Sequence, residues 1–212
     1  VIVAGWAVQH SVRAERVLDL GSGLGTVAMI TAWRLPFARF TTVEAQEQSF
    51  ALAQKSRRYN GLDDRFEQRQ GDFRDAAVFR EGETFDLITG SPPYFPLDAG
   101  VLGDHPQKIA CRFEVRGTVW DYAAAAAPRL APGGMFAVVF PVNPPEQAER
   151  VERAAIENGL VILRRRDVCF REGEPPLLGL FLMMRAKDLP ESMRARCPIL
   201  EPVLTIRRAD GS

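Results

Sequence analysis

The feature that most constrains the fold is a regular alternation of short apolar runs with helix-forming segments. Five strands are predicted, at 16–20, 39–43, 66–70, 85–89 and 135–140, and the first of them is a short apolar run that ends in a glycine cluster. Helices are predicted at 26–34, 46–60 and 118–130. Strands and helices that alternate in this way specify a mostly parallel, doubly wound sheet. We therefore expect an α/β fold that binds ligands at the carboxyl ends of its strands.

The alternation breaks near the end of the chain. After a predicted helix at 145–158, two apolar-rich runs at 160–170 and 177–185 are joined by Arg-Glu-Gly-Glu-Pro-Pro. That connection is too short for a crossover helix, so the two runs are predicted to pair as an antiparallel hairpin.

Length and composition limit the remaining possibilities. We expect residues 1–212 to form one domain, and the start at Val1 suggests that the natural N-terminus is missing. With 27 basic and 27 acidic residues, any nucleic-acid contact must be a local patch. The three cysteines lack zinc-site spacing and favour a reduced, cytoplasmic setting, so no metal is expected. Neither a membrane span nor a signal peptide is indicated.

A glycine-rich loop joins the first strand to the first helix. In Asp19-Leu-Gly21-Ser-Gly23-Leu-Gly25 the glycines allow a sharp turn and a close approach of the backbone to a ligand. The dinucleotide fingerprint G-x-G-x-x-G would need a glycine at position 26, which is Thr26. We therefore assign Asp19, Gly21, Gly23 and Gly25 to a cofactor loop that is not built for a dinucleotide.

Acidic residues end the next two strands. Glu44 follows the second strand, where its acceptor-only carboxylate could bind both hydroxyls of a ribose. Asp72 follows the third strand and could accept a hydrogen bond from an adenine amine, with Phe73 beside the ring. A solvated charge at Glu44 and turn chemistry at Asp72 are the alternatives. Their placement at the carboxyl edge of the sheet favours cofactor binding.

The sequence Ser91-Pro92-Pro93-Tyr94 follows the fourth strand. An exocyclic aromatic amine is a poor nucleophile, and two acceptors aimed at its N–H bonds would help it become tetrahedral. The Ser91 hydroxyl and the Pro92 carbonyl are the candidate acceptors, while Tyr94 offers a face for base stacking. The alternative is a rigid turn, and the chemistry needs neither a metal nor a covalent intermediate.

This segment resembles the (Asn/Asp/Ser)-Pro-Pro-(Tyr/Phe/Trp) signature of methyltransferases that act on planar amino groups of adenine, cytosine, guanine or glutamine amide. By fold analogy, class I methyltransferases also end their sheet with an antiparallel hairpin, whereas a dinucleotide dehydrogenase continues with parallel crossovers. The resemblance implies a Rossmann-like fold, S-adenosyl-L-methionine as cofactor, and catalytic roles for Ser91, Pro92, Pro93 and Tyr94.

Nearly end to end, the chain also resembles the bacterial tRNA1(Val) adenine-N6 methyltransferase family, which modifies the adenine just 3′ of the anticodon. The similar segments are 5–7, which looks like the end of a leading helix, 109–114, 173–176 and 204–211. Two positions depart from that family: Ser91 stands where asparagine is usual, and Phe113 where histidine is frequent. The resemblance implies an RNA substrate, most simply a tRNA.

Basic residues of the long loop at 95–117 are the expected RNA contacts: Lys108, Arg112 and Arg116. Three arginines at 164–166 either contribute or form an exposed edge or solvated run. Two other functions stay open. One is methylation of a protein glutamine or a guanine amine with the same acceptor loop, and the other is a binding module that keeps the fold without turnover.

Overall fold

The computed structural model describes residues 2–94 and 117–208. The strands are β1 Arg16–Leu20, β2 Arg39–Glu44, β3 Phe66–Gln70, β4 Phe85–Gly90, β5 Leu130–Pro141, β6 Leu160–Arg171, β7 Leu178–Arg185 and β8 Ile199–Arg207. The α-helices are α1 Ile2–His10, α2 Thr26–Arg34, α3 Glu47–Tyr59, α4 Val119–Ala126, α5 Glu146–Glu157 and α6 Glu191–Arg194. None of these helices is long and apolar enough to cross a membrane.

The strands form one eight-stranded sheet in the order β3-β2-β1-β4-β5-β7-β6-β8. Strands β1 to β5 pair in parallel, and β7 runs antiparallel to both β5 and β6. The predicted parallel sheet with a terminal antiparallel hairpin is therefore confirmed. The strand order reverses between β1 and β4, and the resulting crevice at their carboxyl ends is where open α/β folds bind ligands.

Alternating side chains of the central strands feed two apolar layers, one on each face of the sheet. On β1, Val17 joins the layer that holds Trp6 of α1, whereas Leu18 joins the layer that holds Val151 of α5. These β1 side chains are fully buried, as expected for a parallel strand covered by helices on both faces. The rigid centre of the sheet thus supports the loops that leave the carboxyl ends of β1 and β4.

Three features of the fold differ from the sequence-based expectations. Helix α1 continues to His10, so residues 5–7 lie inside it rather than at its end. Strand β5 begins at Leu130 and not at 135, because Leu130 already pairs with Phe85 of β4, and an irregularity at 131–134 separates it from the pairing that resumes at Met135. The unpredicted β8 pairs with β6, which makes β6 an interior strand and not an exposed edge. The Trp6 indole Nε1 donates a hydrogen bond of 2.8 Å to Glu201 on β8.

Candidate active site

The carboxyl ends of β1, β2, β3 and β4 open into one pocket beside α4. Its lining residues are Gly21, Gly23, Glu44, Ala45, Gln46, Asp72, Phe73, Ser91, Pro93 and Tyr122. Seven of these were expected from the sequence to serve the cofactor or the acceptor. Four other expected residues do not line the pocket but neighbour those that do: Asp19, Gly25, Pro92 and Tyr94.

The glycine loop after β1 leaves space where a ligand could lie. Gly21 and Gly23 adopt φ of 58° and 54°, in the left-handed region that other residues rarely enter. A Cβ built on Gly23 would meet no described atom within 4 Å, whereas one on Gly21 would overlap the Tyr122 hydroxyl. The loop is therefore open to the pocket at Gly23 and closed against α4 at Gly21.

Glu44 is held rigidly at the end of β2. Although it is charged, its exposed fraction is only 5%, and both carboxylate oxygens accept backbone hydrogen bonds. Oε2 accepts the Gly23 N–H and Oε1 accepts the Gln46 N–H, each at 2.7 Å. Because each carboxylate oxygen can accept more than one hydrogen bond, Glu44 can also receive the two hydroxyls of a ribose.

Asp19 lies buried behind the glycine loop. Its Oδ1 accepts a 2.7 Å hydrogen bond from the Thr89 hydroxyl, and its Oδ2 has no hydrogen-bond partner among residues 2–94 and 117–208. Burial raises the pKa of this carboxyl from 3.8 to about 7. Asp19 thus supports the glycine loop from below and does not itself line the pocket.

Asp72 and Phe73 follow β3 at the pocket wall. Both oxygens of Asp72 already face Arg74, with the closest guanidinium contact at 2.6 Å and a backbone hydrogen bond of 2.9 Å. Phe73 is buried and packs against the Tyr122 ring at a centroid distance of 4.4 Å. The assignment of both residues to an adenine ring stays a prediction, since Arg74 would have to share the carboxylate.

The loop after β4 presents one exposed polar group. Ser91 is exposed and lines the pocket with Pro93, and both prolines, Pro92 and Pro93, are buried. Tyr94 is half-buried and packs edge-on against Phe140 at 5.9 Å, and its burial raises the pKa of its hydroxyl. Tyr94 is thus partly committed to the core, and its predicted stacking on a base must use the part of the ring that Phe140 leaves free.

Sequence reasoning did not find Tyr122, which lines the pocket from α4. A capping box fixes the start of this helix: Thr118 accepts from the Asp121 N–H at 3.3 Å, and the Asp121 carboxylate accepts from the Thr118 N–H at 2.6 Å. The sequence feature that could have pointed to Tyr122 is Gly90 in the fourth strand. A glycine in a buried strand often marks a place where another group lies close to the backbone.

The expected RNA contacts Lys108, Arg112 and Arg116 lie outside the described residues. The arginines at 164–166 are bonded within the protein, to Glu201, to Asp167 and to the Pro202 carbonyl in turn. That arrangement agrees with a structural role for them. Within 2–94 and 117–208, no three histidine, cysteine or acidic residues are grouped so that they could hold a metal ion.

Comparison with known proteins identifies the family. The model of the methyltransferase small domain matches residues 7–154. The tRNA1(Val) (adenine(37)-N6)-methyltransferase of Bacteroides thetaiotaomicron is 30% identical over 177 residues, which cover 83% of this chain and 70% of that protein. The protein of the same name from Glaesserella parasuis is 26% identical, with 77% of this chain and 66% of the relative covered.

Solved structures share the fold. A predicted O-methyltransferase from Agrobacterium tumefaciens superimposes with a TM-score of 0.65 at 19% identity, covering 93% of this chain and 82% of that one. TrmN from Thermus thermophilus superimposes with a TM-score of 0.62 at 22% sequence identity, covering 86% of this chain and 48% of that one. An O-methyltransferase from Brevibacillus brevis, solved with S-adenosyl-L-homocysteine, gives 0.62 at 13%, with coverage of 92% and 74%.

The cofactor is S-adenosyl-L-methionine. The fold and the family match both indicate it, and the glycine loop with the Glu44 carboxylate, which can accept ribose hydroxyls, agrees with them. The chain belongs to the methyltransferase small domain family, among the relatives of the tRNA1(Val) (adenine(37)-N6)-methyltransferases, and is an S-adenosyl-L-methionine-dependent methyltransferase.

Proposed function

We propose that this methyltransferase methylates N6 of an adenine in tRNA, next to the anticodon. The observation that carries the proposal is that Ser91 and Pro93 open into the same pocket as Gly23 and Glu44. An amine held at Ser91 would therefore face the cofactor directly. The names of the relatives supply the base and the RNA, since they describe tRNA adenine-N6 enzymes.

The residues around the glycine loop fit the cofactor. Glu44 would accept the ribose hydroxyls, and the open space at Gly23 would let the ligand approach the backbone of the loop closely. When bound, S-adenosyl-L-methionine supplies an electrophilic methyl group on a sulfonium sulfur. The task left to the protein is to orient the acceptor amine.

Ser91 and Pro92 would orient that amine. The Ser91 hydroxyl and the Pro92 carbonyl would accept its two N–H bonds, which turns the nitrogen lone pair out of conjugation with the ring and towards the methyl group. These hydrogen bonds strengthen as the nitrogen becomes tetrahedral, so they act on the transition state more than on binding. Because Ser91 is exposed, the proton that the methylated nitrogen releases can pass to water.

RNA binding is assigned to the long loop. Lys108, Arg112 and Arg116 stay the predicted contacts, and the zero net charge means that such a patch must act locally. The described arginines at 164–166 are weaker candidates because their guanidinium groups are bonded inside the protein. An anticodon-loop base is already unpaired, so placing it at Ser91 costs little.

The test is methyl transfer from radiolabelled S-adenosyl-L-methionine to unmodified tRNA, compared with protein extracts, followed by mass spectrometry of the products. We expect N6-methyladenosine in tRNA, and none when the adenine next to the anticodon is replaced by guanine. A Glu44→Ala preparation controls for contaminating enzymes. Label on glutamine or on a guanine amine would replace the proposal with the corresponding alternative. Tight cofactor binding without transfer to any of these would indicate a binding module.

A further inference from the structure

Tyr122 belongs to neither the glycine loop nor the acceptor sequence, yet it stands between them. It is the fourth residue of α4, its exposed fraction is only 4%, and it lines the pocket together with Gly21 and Ser91. A large aromatic side chain in this place separates the loop that would hold the cofactor from the loop that would hold the acceptor.

Two glycines make room for this ring. A Cβ on Gly90, the residue before Ser91, would lie 2.6 Å from Tyr122 Cδ1 and 3.0 Å from Cε1. The next atom, on Phe136, would be at an ordinary 3.6 Å. Gly90 does not have a left-handed φ, so among residues 2–94 and 117–208 it is the Tyr122 ring that demands a glycine there. At the opposite end, the hydroxyl occupies the space that a Cβ on Gly21 would need.

The ring is also fixed from its remaining sides. Phe73 packs against it at 4.4 Å with an interplanar angle of 57°, and the capping box at Thr118 and Asp121 sets the position of the first turn of α4. Tyr122 therefore lies against residues at the carboxyl ends of β1, β3 and β4. Because the interior around Tyr122 is close-packed, a change in the size of this side chain changes the spacing of the loops around it.

We propose that Tyr122 is a positioning residue for methyl transfer, because its side chain sets the separation between Gly21 of the cofactor loop and Gly90, the last residue of β4, from which the acceptor loop starts. The cofactor side of this inference needs no assumption about the acceptor. Its acceptor side rests on the proposed function, so S-adenosyl-L-homocysteine binding is measured separately from methylation of tRNA.

The decisive experiment is a double-mutant cycle on binding of S-adenosyl-L-homocysteine by calorimetry. Gly90→Ala alone should weaken binding at least fivefold, because its methyl group pushes the Tyr122 ring towards the pocket. In a Tyr122→Leu background, the same Gly90→Ala change should cost less than twofold. If the losses of binding free energy caused by Gly90→Ala and Tyr122→Leu are additive, the ring does not connect the two loops and the proposal is overturned.

Turnover supplies the second measurement. With the cofactor concentration varied, Tyr122→Leu should lower kcat at least tenfold and raise KM for the cofactor by a smaller factor. Tyr122→Phe loses the hydroxyl next to Gly21 but keeps the ring that faces Gly90, and it should restore most of the lost kcat. If Tyr122→Phe is as impaired as Tyr122→Leu, the ring is not the positioning element. If Tyr122→Leu lowers only the melting temperature, with Kd and kcat of the folded protein unchanged, Tyr122 is merely structural.

Trp120→Leu is the matched control on α4. Trp120 is partly exposed, bonds to Glu157 at 2.7 Å and does not line the pocket, so its loss should leave the Kd for S-adenosyl-L-homocysteine within twofold of the wild type. If the unmodified protein binds the cofactor product but methylates no tRNA, the proposed function fails while the binding cycle still decides the role of Tyr122.

Discussion

The Glu44 carboxylate and the Gly23 backbone N–H are joined by a hydrogen bond of 2.7 Å, so the residue expected to bind the ribose also shapes the cofactor loop. The second oxygen of Glu44 accepts from Gln46 at the start of α3, also at 2.7 Å. One side chain thus fixes the relative position of two loops at adjacent strand ends. Its removal should affect both ligand binding and the stability of the loop.

We expect Glu44→Ala to weaken S-adenosyl-L-homocysteine binding by about 1.5–3 kcal/mol, the usual loss for hydrogen bonds to a charged group. Calorimetry measures this directly, and NAD should show no binding to the wild type. Glu47→Ala, at an exposed position at the start of α3, is the control and should bind normally. An unchanged dissociation constant in Glu44→Ala would remove Glu44 from the ribose site.

Ser91→Ala should lower kcat by about 3- to 10-fold with little change in cofactor affinity, since the lost hydrogen bond of about 0.5–1.5 kcal/mol acts mainly in the transition state. Because Ser91 is exposed, the melting temperature should hardly change. Steady-state kinetics on tRNA decide the matter, with the exposed Ser192→Ala as control. Full activity would leave orientation to the Pro92 carbonyl. A Ser91→Asn variant faster than the wild type would show that serine reaches the amine poorly.

Asp19 should make the cofactor-free protein less stable as the pH rises. Burial raises its pKa from 3.8 to about 7, so the folded state holds the proton more tightly than the unfolded state. The resulting stability is fully present below about pH 4, is lost progressively up to about pH 7, and amounts to at most about 4 kcal/mol.

Asp19→Asn should abolish this decline, and urea unfolding between pH 4 and 8 measures the difference. The exposed Asp64→Asn is the control and should keep the slope of the wild type. A slope that persists in Asp19→Asn would assign the pH dependence to other groups.

Arg112→Ala should weaken tRNA binding and leave cofactor binding intact, because Arg112 is expected to contact phosphates rather than to support the fold. Filter binding at several salt concentrations should show a modest salt dependence for the wild type and a shallower one for the variant. Arg166→Ala removes the same charge from a weaker candidate whose Nε donates to the Pro202 carbonyl, so its tRNA affinity should fall much less than that of Arg112→Ala. Parallel loss of cofactor and RNA binding would mean that Arg112 is structural.

The sequence predicted the elements that depend on local pattern. Strands β1 and β3 and helix α2 have the predicted bounds. For β1 and α2 the reason is local, since an apolar run next to a glycine turn specifies them without reference to distant residues. The loops that follow these strands meet in one pocket because parallel strands place their carboxyl ends at one edge. Topology was therefore enough to bring most of the predicted site residues together.

Features that depend on tertiary contacts were missed. Strand β8 contains Pro202 and exposes Leu200 and Val203, so it lacks the pattern of a buried strand and is specified by pairing with β6. Tyr122 sits in an alanine-rich helix that shows no functional motif, and its position beside Gly21 and Gly90 follows only from the packed structure. The ion pair of Asp72 with Arg74 was also missed, because residue spacing cannot decide whether Asp72 faces a ligand or a neighbouring arginine.

The hydrogen bond from Trp6 to Glu201 has a consequence for how the polypeptide is made. These two residues are 195 positions apart, so α1 emerges from the ribosome long before its partner on β8 has been synthesised. The indole N–H must remain hydrated, or be held by something else, throughout elongation, because a buried donor without a partner is costly. The contact that joins α1 to β8 is therefore made only after the last strand has left the ribosome, whatever α1 has packed against before then.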